Sequence, residues 1–267
     1  MLRIILATLV VVLLAVPIGT MAASQDAKHS EGQIEDQALK VITRYTNFLT
    51  NLKQLHVSTE FGFDVLQENG QMIEFGSHQE ITVQRPDQFR VDFTRRDGDS
   101  GSIVYDSKEI TIFSPEESVY AKTPFEGEVD DAFKFLVEKL NLSIPMRDFF
   151  ANDLNVTLLA KIESGQYVEE STVGGVLCDH LALRNSYVDF QLWIAQGDEP
   201  LPRRLVITYK NDEGRPQFWA QFQRWESSPK ITAGHFSYSP PAGTERIPFA
   251  SLDADADADA PKDGGKP

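Results

Sequence analysis

The chain carries one cysteine, Cys178, among 267 residues. A lone thiol forms no internal disulfide and excludes metal sites built on several thiolates. Cations are scarce: 25 Lys and Arg stand against 40 Asp and Glu, a net charge of −15. Nucleic acids and anionic membrane surfaces are gripped by Lys and Arg that neutralise phosphate, so no nucleic-acid partner is expected. The histidines (His29, His56, His78, His180 and His235) are scattered, with no pair at ligating spacing on one helix. No metal and no cofactor are therefore expected. G-x-S-x-G, H-E-x-x-H and a glycine-rich phosphate loop are all missing, so the chain does not read as an enzyme. No Pro/Gly/Ser linker splits it, and no repeat of 20–50 residues runs through it.

The two ends are distinctive. Arg3 precedes an almost wholly apolar run over 4–18, and small residues follow at Thr20, Ala22 and Ala23. That is the layout of a secretory signal peptide over residues 1–22, cleaved after Ala22 or Ala23, with an uncleaved anchor as the alternative. It predicts a periplasmic protein. At the other end, residues 251–267 alternate Asp and Ala before Pro, Lys and Gly. Such a segment has nothing to bury and is expected to be disordered.

Between the ends, residues 33–250 read as one domain. The spacing predicts a helix over 33–52, where Ile34, Ala38, Val41, Ile42, Tyr45 and Leu49 share a face. The period then falls to two. Strands are expected over 57–65, 72–85, 89–93, 101–106, 109–113 and 118–122, with an Asn-Gly hairpin turn at Asn69 and Gly70. Phe133, Leu136, Val137 and Leu140 predict a helix over 129–140. Pro145 can open a second, running to 152. Further strands are expected over 157–162, 166–173, 176–184, 187–194, 203–210, 217–225 and 231–238. The fold class is α+β: a curled antiparallel half-barrel sheet covered by a few helices.

One hairpin can be registered by hand. A two-residue turn at Asn185 and Ser186 sets Leu181 opposite Phe190 and Leu183 opposite Val188 on an apolar face. The other face then carries His180 across from Gln191 and diagonal to Asp189, with Cys178 across from Trp193. His180, Asp189, Gln191 and Trp193 form the polar cluster most like catalytic chemistry, although a general base there has no evident nucleophile to serve. Phe61, Phe63, Phe89, Val91, Phe93, Leu181, Phe190 and Leu192 line either a ligand cavity or a filled core.

The stretch 83–91, VQRPDQFRV, resembles the strand–corner–strand motif of the periplasmic lipoprotein carrier LolA. Residues 55–61 (LHVSTEF) and 103–115 (IVYDSKEITIFSP) fall in that family's order, so the likeness covers roughly 38–125. In the second half, 178–183 (CDHLAL), 189–194 (DFQLWI) and 197–203 (GDEPLPR) are similar to a narrower family of predicted periplasmic proteins with the LolA/LolB-type fold. The resemblance implies a half-open barrel closed by a helical lid, with an apolar lumen that accepts acyl chains. It also implies that Arg85, at the R-P corner, holds the lid shut through hydrogen bonds. The long second half departs from LolA, and no surface for a releasing complex or a receptor is evident.

Three functions follow as expectations. The first is an exported binding protein that holds a lipid, an acyl chain or a lipoprotein-type ligand. The second is an envelope adaptor that binds a partner protein through a sheet edge or apolar face over a filled core. The most remote is an enzyme built on His180 and Asp189.

Overall fold

The computed structural model describes residues 33–140 and 146–249. The signal peptide, the Asp/Ala tail and Pro145 lie outside the described residues. Helix α1 (Asp36–Asn51) is followed by strands β1 (Gln54–Leu66), β2 (Met72–Gln84), β3 (Gln88–Arg95), β4 (Ser100–Tyr105), β5 (Glu109–Ser114) and β6 (Val119–Pro124). Helix α2 (Val129–Leu140), a 3-10 turn (Arg147–Phe149) and the one-turn helix α3 (Leu154–Thr157) come next. Strands β7 (Ser164–Val173), β8 (Val176–Arg184), β9 (Val188–Ala195), β10 (Pro202–Tyr209), β11 (Gln217–Glu226) and β12 (Glu245–Arg246) complete the order.

The strands form one sheet, ordered β12-β6-β5-β4-β3-β2-β1-β11-β10-β9-β8-β7. Two antiparallel meanders, β1–β6 and β7–β11, are therefore welded at β1 and β11. Their long pairing runs from His56 opposite Glu226 to Phe63 opposite Phe218, with a bulge between Ser58 and Thr59. Such a bulge adds local twist. The sheet curls without closing into a barrel, and residues from both meanders meet across its concave face.

Both sheet margins are partly covered by chain ends of the domain. At β7, Glu35 N donates to Gly165 O at 2.9 Å. This pairing draws 33–35 out of the helix expected there, so α1 begins at Asp36. The remainder of β7 carries Glu169, Glu170 and a bulge at Val168, features that discourage edge-to-edge pairing. At β6, Glu245 N reaches Ser118 O and Ile247 N reaches Tyr120 O, both at 2.9 Å.

The core lies between the concave face and the helices. Ala38, Val41, Ile42, Tyr45 and Leu49 bury one stripe of α1, as the helical period requires. Arg44 fixes that helix to β8 through Asp179 at 2.8 Å, and Asp179 also receives Gln196 Nε2 at 2.8 Å.

Three local expectations are corrected. Residues 157–162 are helical, not a strand: Asp153 accepts from Asn155 N and Val156 N and so caps α3, after which 159–161 form a 3-10 turn. Residues 231–238 are successive turns, with Gly234 at a φ of +86°. They form a strap across the outer face, where Phe236 is buried and Tyr238 packs on Phe113 and Tyr120. The β8–β9 register differs by two residues: Leu183 faces Phe190, Leu181 faces Leu192 and His180 faces Trp193. The cause is Asn185, whose side chain accepts from both Tyr187 N and Val188 N at 2.9 Å and so widens the loop. A two-residue slip leaves each side chain on its expected face.

Candidate functional site

A cleft of about 950 Å³ opens between the sheet and the helices. Period-two alternation aims Phe61 and Phe63 of β1, Phe75, Gln79 and Ile81 of β2, and Phe89, Val91 and Phe93 of β3 into it. Phe133 and Leu136 of α2, with Met146 and Phe150 beyond it, form the roof. Tyr209 of β10 and Phe218 of β11 form the far wall. The inner end is dense: Phe89 is fully buried, and its ring stacks on Phe133 with centroids 4.7 Å apart. Toward the tip of the β1–β2 hairpin the lining comes into solvent. There Phe63 is 39% exposed and Phe75 47%, beside the exposed Val65 and Ile73.

Charges gather at the same cleft: Asp64, Glu74, Arg95, Arg96, Asp97 and Asp212. The arginines are committed. Arg96 donates to Glu74 at 2.6 Å and lies over the Trp219 ring, and Arg95 reaches Asp99 at 3.4 Å. The Arg96 hydrogen bond, followed by that from Trp219 Nε1, holds the Glu74 carboxyl below its ordinary range.

Of the expected lining residues, Phe61, Phe63, Phe89, Val91 and Phe93 come together at the cleft. Leu181, Phe190 and Leu192 do not; they are buried in the packed core on β8 and β9. Sequence reasoning missed the roof and the far wall. The Phe133–Leu136 stripe was readable as a buried helix face, but Tyr209 and Phe218 reach the cleft only because β11 pairs with β1.

Arg85, just past β2, sits where three helical ends meet. It donates to Leu52 O at the end of α1 at 2.9 Å, and to Ala151 O at 2.9 Å through Nη2 and 3.3 Å through Nε. Its neighbour Pro86 offers its carbonyl to Val129 N at 2.8 Å and to Asn152 Nδ2 at 3.2 Å. Asn152 N in turn donates to Asp130 at 2.9 Å. Burial pulls the guanidinium below its ordinary pKa, and burial raises that of Asp130. One corner thus grips α1, α2 and the segment behind the roof.

The polar cluster lies on the outer face, away from the cleft. His180 stacks on Trp193 at 4.1 Å, with ring planes 10° apart, and shares a 3.0 Å hydrogen bond with Gln191. Its Nδ1 is buried and has no hydrogen-bond partner among the described residues. Burial pushes its pKa down, which favours the neutral ring. Asp189 is not beside it. That carboxylate is held by Arg184 at 2.7 and 3.0 Å and by Lys210 at 3.5 Å. Arg204 lies over both Trp193 and Trp219, so Arg96, Trp219, Arg204 and Trp193 alternate cation and ring across the sheet, and the stacked His180 ring ends the row. Such stacking stabilises cross-strand neighbours. His56 and His78 both meet Glu80 elsewhere on the outer face, at 2.9 and 3.1 Å. Among the described residues, no group of three or more His, Cys, Asp or Glu is placed to hold a metal.

Several solved structures are similar to this one. A conserved protein from Thermus thermophilus is 10% identical; the match covers 79% of this chain and 99% of that one, with a TM-score of 0.46. The lipoprotein LppX from Mycobacterium tuberculosis is 13% identical, covering 74% and 99%, with a TM-score of 0.45. A LolA superfamily protein from Nitrosomonas europaea is 10% identical, covering 75% and 97%, with a TM-score of 0.40. None of the curated proteins matches. A family model matches residues 38–250, nearly the whole body between the two distinctive ends. The chain belongs to that family, described as "Predicted periplasmic protein (DUF2092)", and the periplasm is its location.

Proposed function

We propose that the chain is a periplasmic binding protein that holds an apolar or acylated ligand in the cleft between sheet and helices. The observation that supports this most is the cleft itself: about 950 Å³, walled by aromatic rings from both meanders and roofed by helices. That volume is at the upper end for small-molecule cavities, and a predominantly apolar wall suits a hydrocarbon chain. Arg85 is the lid gate in this reading. Its hydrogen bonds to Leu52 and Ala151 keep the roof seated until a ligand displaces it. The His180 group takes no part in it.

The experiment is native mass spectrometry of the protein purified from the periplasm, followed by organic extraction. A stoichiometric lipid or acylated peptide is the expected result. An empty protein that also fails to bind a fluorescent fatty-acid probe would sink the proposal.

A protein partner is the second reading. What favours it is the apolar quartet Phe63, Val65, Ile73 and Phe75, each 37–47% exposed on one hairpin. The partly covered margins of the sheet, with the bulge and glutamates on the rest of β7, weigh against recognition by strand addition.

A further inference from the structure

The floor of the cleft runs out past its roof. Register sets Phe63 opposite Phe75 and Val65 opposite Ile73, and strand alternation puts all four on the cleft side of β1 and β2. Phe61, inside, leads to Phe63 at a ring distance of 6.4 Å, and Phe63 leads to Phe75 at 6.1 Å. The strip is two strands wide, about 10 Å, the breadth of one α-helix. Phe61 at its inner end is buried, whereas Phe63, Val65, Ile73 and Phe75 are exposed. An apolar strip continuous with an interior is a surface for something to cover.

What flanks the strip selects its occupant. The β3–β4 turn on one side carries Asp97 and Asp99, and the β10–β11 loop on the other carries Asp212 and Glu213. Both lie against the hairpin. Arg96 N donates to Gly76 O at 3.1 Å, and Gly214 packs on Met72 and Leu66. The nearby cations are largely taken: Arg95 by Asp99, Arg96 by Glu74 and Lys210 by Asp189, which leaves Arg215. Neither Asp97 nor Asp212 is in an ion pair among the described residues. A hydrogen bond with Asp99, followed by the like charges around it, pushes the exposed Glu116 carboxyl up, a sign of negative potential on that side.

We infer that the strip docks a basic amphipathic helix of a partner protein, with its apolar stripe on Phe63, Val65, Ile73 and Phe75 and its Lys and Arg over the flanking carboxylates. The inference rests on the second reading above, in which the hairpin receives a protein. The same carboxylates repel the other surfaces that could cover the strip: an anionic bilayer, and a second copy of a chain whose net charge is −15. Opposite charge at the rim supplies selectivity, and the apolar strip supplies the hold.

The probe is a synthetic amphipathic peptide of leucine and lysine, about 14 residues and so about 20 Å long as a helix. Its counterparts carry glutamine or glutamate in place of lysine, and fluorescence anisotropy reads their binding to the full chain. The lysine peptide is expected to bind about tenfold more tightly than the glutamine peptide, and the glutamate peptide more weakly still. Asp97→Asn/Asp212→Asn/Glu213→Gln should weaken the lysine peptide about fivefold, whereas Glu169→Gln/Glu170→Gln at the far margin should change it by less than about twofold. Phe63→Ser/Phe75→Ser should weaken it about tenfold, and Phe63→Leu/Phe75→Leu should largely restore it. The urea midpoint and uptake of the neutral dye N-phenylnaphthylamine check that each variant keeps its fold and its cleft. A glutamine peptide that binds as tightly through the two phenylalanines, or a β7 variant that weakens the lysine peptide as much as the rim variant does, overturns the inference and leaves a protein partner standing. Flotation with phosphatidylglycerol vesicles, or dimerisation in sedimentation, that is lost with Phe63 and Phe75 gives the strip to a bilayer or a second copy and overturns it too. If none of the three peptides binds, or if binding ignores the phenylalanines, the inference and the second reading fall together.

Discussion

Replacing Arg85 by Leu tests the corner that joins the helices. The substitution removes the donors for two carbonyls, those of Leu52 and Ala151, each held at 2.9 Å. A buried acceptor left unsatisfied costs about 1–3 kcal/mol, so the two together cost about 2–6 kcal/mol. Against that, the variant no longer holds a guanidinium away from water, which returns several kcal/mol. The net expectation is a loss of about 2 kcal/mol concentrated in the roof, because neither carbonyl belongs to the sheet. The assay is hydrogen exchange by mass spectrometry. Peptides over 146–162 should exchange about 30-fold faster, the equivalent of 2 kcal/mol, while peptides from β8 and β9 serve as the internal reference. Dye release should quicken in parallel. Arg85→Lys should fall between, since one ammonium lacks the planar fork that serves both carbonyls. Uniform acceleration across roof and sheet, or no acceleration at 146–162, would refute the latch.

Two further outcomes are expected. A Cβ on Gly101 would lie 2.5 Å from the Phe93 ring and 2.9 Å from Phe113 O, so Gly101→Ala should tip Phe93 into the cleft. It should lower dye affinity and cost about 1–3 kcal/mol in urea unfolding, and unchanged binding would show that Phe93 does not shape the cleft. Burial holds both His180 and His235 below the ordinary value of 6.5. Below that pH the unfolded chain takes up protons that the folded chain refuses, so stability should fall as pH drops from about 7.5 to 5.5. His180→Gln should flatten the fall in urea midpoints, and an undiminished slope would remove His180 from the account.

Periodicity made most elements legible. The alternation in β1 to β3 placed Phe61, Phe63, Phe89, Val91 and Phe93 on one face, and the structure puts all five at the cleft. The stripe of α1 was readable for the same reason. What failed was local hydrogen bonding that overrides pattern. Residues 157–162 read as strand, yet a single capping carboxylate, Asp153, starts a helix that runs into the segment. Phe236 and Tyr238 alternate like a strand but lie on turns that Gly234 permits. Asn185 moved a register by two residues through its side-chain amide alone. Nothing local marks β1 as the partner of β11, more than 150 positions away, so the far wall and its Tyr209 were invisible until the meanders joined. Leu181, Phe190 and Leu192 share a pattern with the cleft residues, and only the placement of covering groups separates filled core from open cavity.

The coverings at the two sheet margins arrive at different times. A chain emerging in order presents Gln33 and Glu35 long before the start of β7, which they cover at Gly165. The shield for β6 comes from Glu245 and Ile247, near the close of the body. A copy clipped ahead of residue 245 would fold almost completely and still display one adhesive border, a template for neighbouring copies to add strands. The β6 border over Val119 and Tyr120 is thus shielded last, by the final segment of the body.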